Sequence, residues 1–298
     1  MAVLFVFIDG IGIGDDSPDN PLASVKLESV SFFTGRNGVH RNCEERSEEF
    51  ILFRKVDANI DVGGLPQSGT GQTSLFTGIN ASKKIGKHFG PFPHTKIKPL
   101  LQKKSLFHKA IKMGKQPHFL NAYPDIFFIK SEKINRWSCT TLMTKSAGIL
   151  LNRFVDVLEE RAVTAEINQS AWKSMLNLDV PEIKPEDAAK RALKSLDLYD
   201  LVLYEYYLTD KAGHSQDRGM ADRVLEVLDQ FLWEIIKQKK PEDTLVICSD
   251  HGNIEDLSTK THTRNPVPLF VAGDTDPFTE ATSILDVTPG ILRVMEKS

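Results

Sequence analysis

The sequence predicts an α/β domain built on a mostly parallel sheet, and three observations carry that expectation. One short run, "VLFVFI" at 3–8, is continuously apolar and β-rich, and three more look similar: "DLVLYEYYL" at 200–208, "DTLVICSD" at 243–250 and "VPLFVAG" at 267–273. Such runs suit strands buried on both faces of a sheet. Helical or loop sequence separates them, as crossover connections require. With 298 residues, 41% of them hydrophobic, the chain can bury a large core, in one big domain or two modest ones.

The first run lies in "MAVLFVFIDG" and stops at Asp9 and Gly10. No basic region precedes it and no small-residue cleavage site follows, so a buried strand is expected there and not a leader. Residues 33–50, "FTGRNGVHRNCEERSEEF", are polar and predicted as an exposed excursion. The stretch 64–78, "GLPQSGTGQTSLFTG", reads as a Gly-rich turn carrying Ser68 into an apolar helix. From about Gly90 to Pro181 the sequence is Lys-rich, with mixed patterns and repeated Pro and aromatic residues. This middle is predicted to be an inserted α/β cap subdomain at 91–181, between core pieces at 1–90 and 182–298. A helix is expected near "KPEDAAKRALKSL", with Pro185 in its first turn and acids after it. Another is expected over 220–236, where Val224, Leu225, Leu228, Phe231, Leu232 and Ile235 recur at helical spacing. The C-terminal "SILDVTPGILRVMEK" reads as helical despite Pro289.

The net charge of -3 lacks the basic excess of a nucleic-acid binder. Cys43, Cys139 and Cys248 are scattered and odd in number, which argues against a disulfide frame or a thiolate metal site and for a reducing compartment. No apolar run is long enough to span a bilayer. The expectation is a cytoplasmic protein without membrane or nucleic-acid partners; the sequence leaves its oligomeric state open.

Ligands of open parallel sheets gather at the carboxyl ends of strands. Here those ends carry hard metal-binding residue types. Asp9 closes the first strand, "TDKAGH" after the second supplies Asp210 and His214, "SDHGN" after the third supplies Asp250 and His251, and "KTHTRNPVP" puts His262 before the fourth. Singly, each has an ordinary reading as a cap, turn or loop residue. Carboxylates and imidazoles together, with no thiolate, are the donor set of a two-metal site. Ser68 in its Gly-rich turn could be a nucleophile, with Thr70 the close competitor. "GTGQTS" lacks the Lys of a phosphate-binding P-loop, and "DGIGIG" lacks the order of a dinucleotide fingerprint.

In this order the motifs "FIDGIGIG", "SGTGQTSLFTG", "TDKAGH", "SDHGN" and "THTRNPVP" resemble the alkaline phosphatase superfamily of metalloenzymes, in particular the branch holding cofactor-independent phosphoglycerate mutase and phosphopentomutase. The likeness covers roughly residues 1–90 and 185–298. It implies an alkaline phosphatase-like three-layer α/β sandwich and two divalent metal ions, Mn or Zn. Carried over by position, Asp9, Ser68, Asp250 and His251 would hold one metal, and Asp210, His214 and His262 the other. It further implies that Ser68 attacks a phosphoryl group. Gly69, Thr70, Lys87, His88 and Arg264 are candidates for touching phosphate. The implied activity is metal-dependent phosphoryl transfer on a small phosphorylated substrate, as a phosphatase or phosphodiesterase, or alternatively as a phosphomutase. A different class is a metal and phosphate sensor without turnover. The middle segment is shorter than the inserted domain of those mutases. Its basic residues are mostly lysines, such as Lys96, Lys98, Lys130 and Lys145, with few arginines, among them Arg136 and Arg153.

Overall fold

Seven strands form one sheet in the computed structural model, which describes residues 1–297: β1 Val3–Ile8, β2 Arg46–Glu48, β3 Ile51–Val56, β4 Pro117–Phe119, β5 Leu201–Tyr206, β6 Thr244–Ser249 and β7 Val267–Ala272. Their order is β2-β3-β7-β6-β1-β5-β4. β1 lies at the centre, parallel to both neighbours along its whole length, with Val3 opposite Leu201 and Thr244. β4 is parallel to β5, whereas β7 is antiparallel to β6 and to β3, and β2 closes the edge antiparallel to β3. Thus β1, β3, β4, β5 and β6 point one way and β2 and β7 the other.

Every residue of β1, β5, β6 and β7 is buried, the consequence of helices on both faces. Along β1, Leu4, Val6 and Ile8 face one layer and Val3, Phe5 and Phe7 the other, the period-2 alternation of a strand. The first layer contains helices Glu28–Thr34, Pro185–Ser195 and Arg218–Gln238. The second contains Ser68–Leu75, Leu106–Lys112, Cys139–Ser146 and Val287–Glu296. Asp217 caps the longest helix by accepting from the Met220 amide. Pro289 is the third residue of the last helix, where a missing N–H removes no intrahelical bond.

Three expectations are revised. Residues 91–181 are not wholly a separate cap: β4 completes the core sheet, and Leu101, Phe107, Phe119, Trp137 and Met143 share one apolar cluster with Phe5 and Phe7. Only a smaller cluster of Ala122, Val157, Ala162, Trp172 and Val180 stands by itself. The 33–50 excursion is pinned at Phe33, Val39 and Cys43, all buried, and contributes edge strand β2. The Gly-rich stretch after Gln67 is not a turn leading to a helix. It is the helix Ser68–Leu75, buried throughout. Its glycines serve close packing: a Cβ on Gly69 would overlap the Phe92 carbonyl, and one on Gly71 would lie 2.9 Å from the Asp250 carbonyl oxygen.

Candidate metal centre

The carboxyl ends of β1, β5 and β6 meet at one edge, and the chain delivers its polar groups there. Asp9 follows β1, and Asp250 and His251 follow β6. After β5 the chain turns at once into helix Leu208–Ser215, which carries Asp210 in its first turn and His214 one turn later on the same face. Gly10 makes the approach possible. Its φ is +76°, and a Cβ there would lie 2.8 Å from the Asp210 Cβ, so only glycine satisfies both the backbone and the contact.

Two adjoining clusters result. In the first, His251 Nε2 lies 3.0 Å from Ser68 Oγ, 3.2 Å from Asp9 Oδ1 and 3.5 Å from Asp250 Oδ2. In the second, His262 Nε2 lies 3.4 Å from Asp210 Oδ1 and 3.2 Å from His214 Nε2, while His214 Nε2 lies 3.4 Å from Asp210 Oδ2. The His251 and His262 rings stack at 3.8 Å and join the clusters.

Hydrogen bonds fix which atoms face inward. His262 Nδ1 is 2.8 Å from the Pro66 carbonyl oxygen, and His214 Nδ1 is 2.7 Å from that of Lys260. A carbonyl oxygen only accepts, so each ring holds its proton on Nδ1 and turns the Nε2 lone pair toward Asp210. Gln72 Nε2 donates to Asp9 Oδ2, and Asn253 Nδ2 donates to Asp210 Oδ1 at 2.6 Å. Asp9 Oδ1 and both Asp250 oxygens are buried with no donor. Carboxylates and imidazole lone pairs therefore converge where almost nothing donates, and the missing complement is a cation.

Ionisation divides these groups: Asp250 is uncompensated, whereas Asp210 and His262 compensate each other. Burial, together with the charges of Asp9 and Asp210, raises the Asp250 carboxyl well above the usual carboxylate range. Burial also works against a charge on Asp210, but the facing histidines and Asn253 outweigh it and hold its pKa at about 2. On His262, burial disfavours the proton, and Asp210 with the Pro66 carbonyl more than offsets it, so its pKa is raised.

The structure thus gathers Asp9, Ser68, Asp210, His214, Asp250, His251 and His262. The other sequence candidates lie differently. Thr70 Oγ1 donates to the Gln67 carbonyl and accepts from the Phe89 amide, so of the two hydroxyls only that of Ser68 meets His251. His88 is engaged away from the cluster, with Ser82 Oγ 3.1 Å from Nδ1 and the Val62 carbonyl 3.1 Å from Nε2. Burial lowers its pKa. Lys87 stands 5.8 Å from the Phe89 ring, and Arg264 Nε donates to the Gly64 carbonyl. Gly69 follows Ser68 at the helix start.

Sequence reading missed Gln72, Asn253, Glu205 and Thr140. The first two sit inside motifs already singled out. Glu205 had a visible signal, a charge within the apolar run of β5. It is buried, Thr140 Oγ1 donates to its Oε2 at 2.7 Å, and burial, opposed by that hydrogen bond and reinforced by the charge of Asp9, brings its pKa to about 7.

The sequence profile of the metalloenzyme superfamily matches residues 1–296. Over 126 residues the chain is 31% identical to a 2,3-bisphosphoglycerate-independent phosphoglycerate mutase of Clostridium botulinum and 28% identical to one of Rhodopseudomonas palustris. Each match takes in 39% of this chain and 25% of the relative, so the chain matches about a quarter of the length of these curated relatives. Among solved structures, the PH0037 protein of Pyrococcus horikoshii superposes with a TM-score of 0.61 at 14% identity, covering 100% of this chain and 97% of that one. Alkaline phosphatase from the Antarctic bacterium TAB5 gives 0.57 at 11%, covering 99% and 97%. Leishmania mexicana phosphoglycerate mutase gives 0.53 at 11%, covering 99% and 95%. The shared property is the fold, an alkaline phosphatase-like α/β architecture.

Proposed function

The chain belongs to the metalloenzyme superfamily, and from that premise we propose that it is a divalent-metal-dependent phosphoryl-transfer enzyme with Ser68 as nucleophile, acting as a phosphatase or phosphodiesterase on a small phosphorylated metabolite. One observation carries the reading. The Ser68 hydroxyl, on the first residue of a buried helix, lies 3.0 Å from His251 Nε2, in the same cluster as buried Asp9 and Asp250 oxygens that have no donor.

Asp9, Ser68, Asp250 and His251 would hold one cation, and Asp210, His214 and His262 the other. When bound, the two cations would lower the pKa of the Ser68 hydroxyl and neutralise charge on the phosphoryl oxygens. Ser68 Oγ, its proton passed to solvent, attacks phosphorus in line, the bond from phosphorus to the leaving oxygen breaks, and that oxygen takes a proton from solvent as it departs. The helix start at Ser68 and Gly69 presents free amides and the positive end of the helix dipole to the anion. Water then hydrolyses the phosphoserine. If a second substrate hydroxyl accepts the phosphoryl group instead, the outcome is a phosphomutase. The names of the curated relatives favour that variant, whereas a middle segment with few arginines favours hydrolysis, since Lys lacks the bidentate fork of Arg. Asp, His and Ser donors without thiolate suit manganese or zinc. Three buried free cysteines support a reducing, cytoplasmic setting, and among the described residues no helix is long and apolar enough to cross a membrane.

The test is hydrolysis of p-nitrophenyl phosphate and its diester analogue by metal-stripped protein resupplied with manganese or zinc. The expected outcome is metal-dependent turnover that falls at least about a thousandfold in Ser68→Ala. Turnover that survives Ser68→Ala contradicts the nucleophile. Two bound metals without turnover, and with no trapped phosphoserine, favour the sensor.

A further inference from the structure

The loops that carry the ligand-type residues converge on a side chain outside the cluster, Glu255. Its side chain is 1% exposed, and its two oxygens are fully used. Oε2 accepts from the Gly12 amide at 2.9 Å and from the Asn253 amide at 2.7 Å. Oε1 accepts from Asn265 Nδ2 at 3.0 Å and from the Thr263 hydroxyl. All four partners are donors, the complement of a carboxylate. They belong to three segments, of which that of Gly12 is 243 residues from Glu255 in sequence and the other two lie within 10 residues of it. Gly12 lies just after Asp9, Asn253 just after Asp250 and His251, and Thr263 next to His262. The fourth segment is reached at one remove, because the Asn253 side chain donates to the carboxylate and to the carbonyl of Asp210.

The glycines of these motifs are shaped around the same carboxylate. A Cβ on Gly12 or on Gly252 would overlap Glu255 Oε1, and one on Gly14 would lie 2.7 Å from the Glu255 carbonyl oxygen. Gly12 and Gly14 of "DGIGIG" thus make room for Glu255.

We infer that Glu255 is the positioning residue of the centre, holding the loops of Asp9, of Asp250 and His251, and of His262 in register, and Asp210 through Asn253. This inference rests on the metal-centre reading given above. Glu255 touches neither substrate nor cation. It acts by fixing where the ligand-type side chains stand, as groups behind metal ligands do.

Three variants separate placement from charge and from mere stability. Glu255→Gln keeps length and loses charge. Its Oε1 can take the two backbone N–H donors while its Nε2 donates to the rotated Thr263 hydroxyl and the flipped Asn265 amide. Glu255→Asp keeps charge and is one methylene, roughly 1.5 Å, too short to reach both pairs. Glu255→Ala removes all four bonds. The measurements are manganese and zinc dissociation constants on metal-stripped protein by titration calorimetry, and amide exchange at Gly12 and Asn253 in the stripped protein. Placement predicts that Ala weakens metal binding roughly 10- to 100-fold, that Asp falls with it, and that Gln stays within about threefold of wild type. It also predicts that Ala and Asp, but not Gln, speed exchange at both amides. Asp binding as wild type while Gln falls with Ala would overturn the inference in favour of charge. Wild-type affinity in a thermally weakened Ala variant would overturn it in favour of stability alone. If Ala does not fold, the order of Gln and Asp decides. If wild type takes up neither metal, the metal-centre reading fails by itself, and the exchange order of Gln and Asp still judges Glu255.

Discussion

Asp250→Asn should change sign between metal-free and metal-loaded protein. Asp250 is 0% exposed and neither of its oxygens has a donor. One ligand atom each from Asp9, Asp250 and His251 lie within 4.8 Å of one another. Two unit charges 4.8 Å apart repel by about 3.5 kcal/mol at an effective dielectric constant of about 20. Asn removes that repulsion with little change in shape and offers a donor beside Asp9 Oδ1. In chelator at neutral pH the variant should melt higher by up to roughly 7 °C, since about 1 kcal/mol moves the midpoint of a chain of this size by roughly 2 °C. The pH dependence follows from the raised carboxyl. Between the unfolded and folded pKa values the native state binds more protons, so the stability of metal-free wild type falls as pH rises through that window. The advantage of Asn should therefore be small near pH 4 and grow toward neutrality. With saturating manganese or zinc the order should reverse, because the variant loses a ligand and with it the stabilisation by ligand binding, about 4 kcal/mol at a thousand times the dissociation constant. Differential scanning calorimetry across pH, with chelator and with metal, measures both arms. A variant that melts below wild type in chelator at pH 8, or that binds metal as tightly as wild type, contradicts a centre built for a cation.

Glu205→Gln should stabilise the metal-free protein above pH 7 by about 1–3 kcal/mol and have little effect near pH 4. Burial lifts the Glu205 carboxyl from 4.5 to about 7, so wild type loses stability as pH rises between those values, and Gln can still bond to the rotatable Thr140 hydroxyl. Thermal melts across pH check it, and a pH-independent difference would contradict it. Gly10→Ala should weaken metal binding as well as stability. It places a Cβ 2.8 Å from the Asp210 Cβ at a φ of +76°, a strain of about 1–3 kcal/mol. Calorimetric titration with metal should show the site holding Asp210 weakened, and an unchanged dissociation constant would show that Asp210 is free to move.

Much of this was legible along the chain. The four strands buried at every residue announced themselves because burial on both faces makes them read as largely apolar runs. The long helix announced itself by spacing and its Asp217 cap. The short strands β2 and β4 have three residues each, and only their neighbours in the sheet make them strands. β3, "ILFRKV", mixes charge with apolar residues because it lies next to the edge. The middle segment was misjudged for a related reason: its aromatic residues are amphipathic in no regular pattern until Phe119 and Trp137 find the face of β1. Ser68 was visible, but not that its glycines belong to a helix, since Gly-rich sequence is helical only where close packing against the Phe89–Phe92 loop and Asp250 demands it.

By itself the sequence determined the chemistry on offer: hard oxygen and nitrogen donors at strand ends, one serine in a Gly-rich stretch, and no thiolate set. Residue types and local periodicity are properties of the chain, and they survive without a fold. Which of those groups meet was decided only by the tertiary structure. Parallel pairing of β1 with β5 and β6 brings Asp9 beside residues some two hundred positions away, Gly10 admits Asp210, and Glu255 locks the loops. His88 and Thr70, which the sequence offered as candidates for touching phosphate, are spent on other bonds. Donor and acceptor balance in a buried site depends on every neighbour at once, and those neighbours are set by strand pairing and packing across the whole chain.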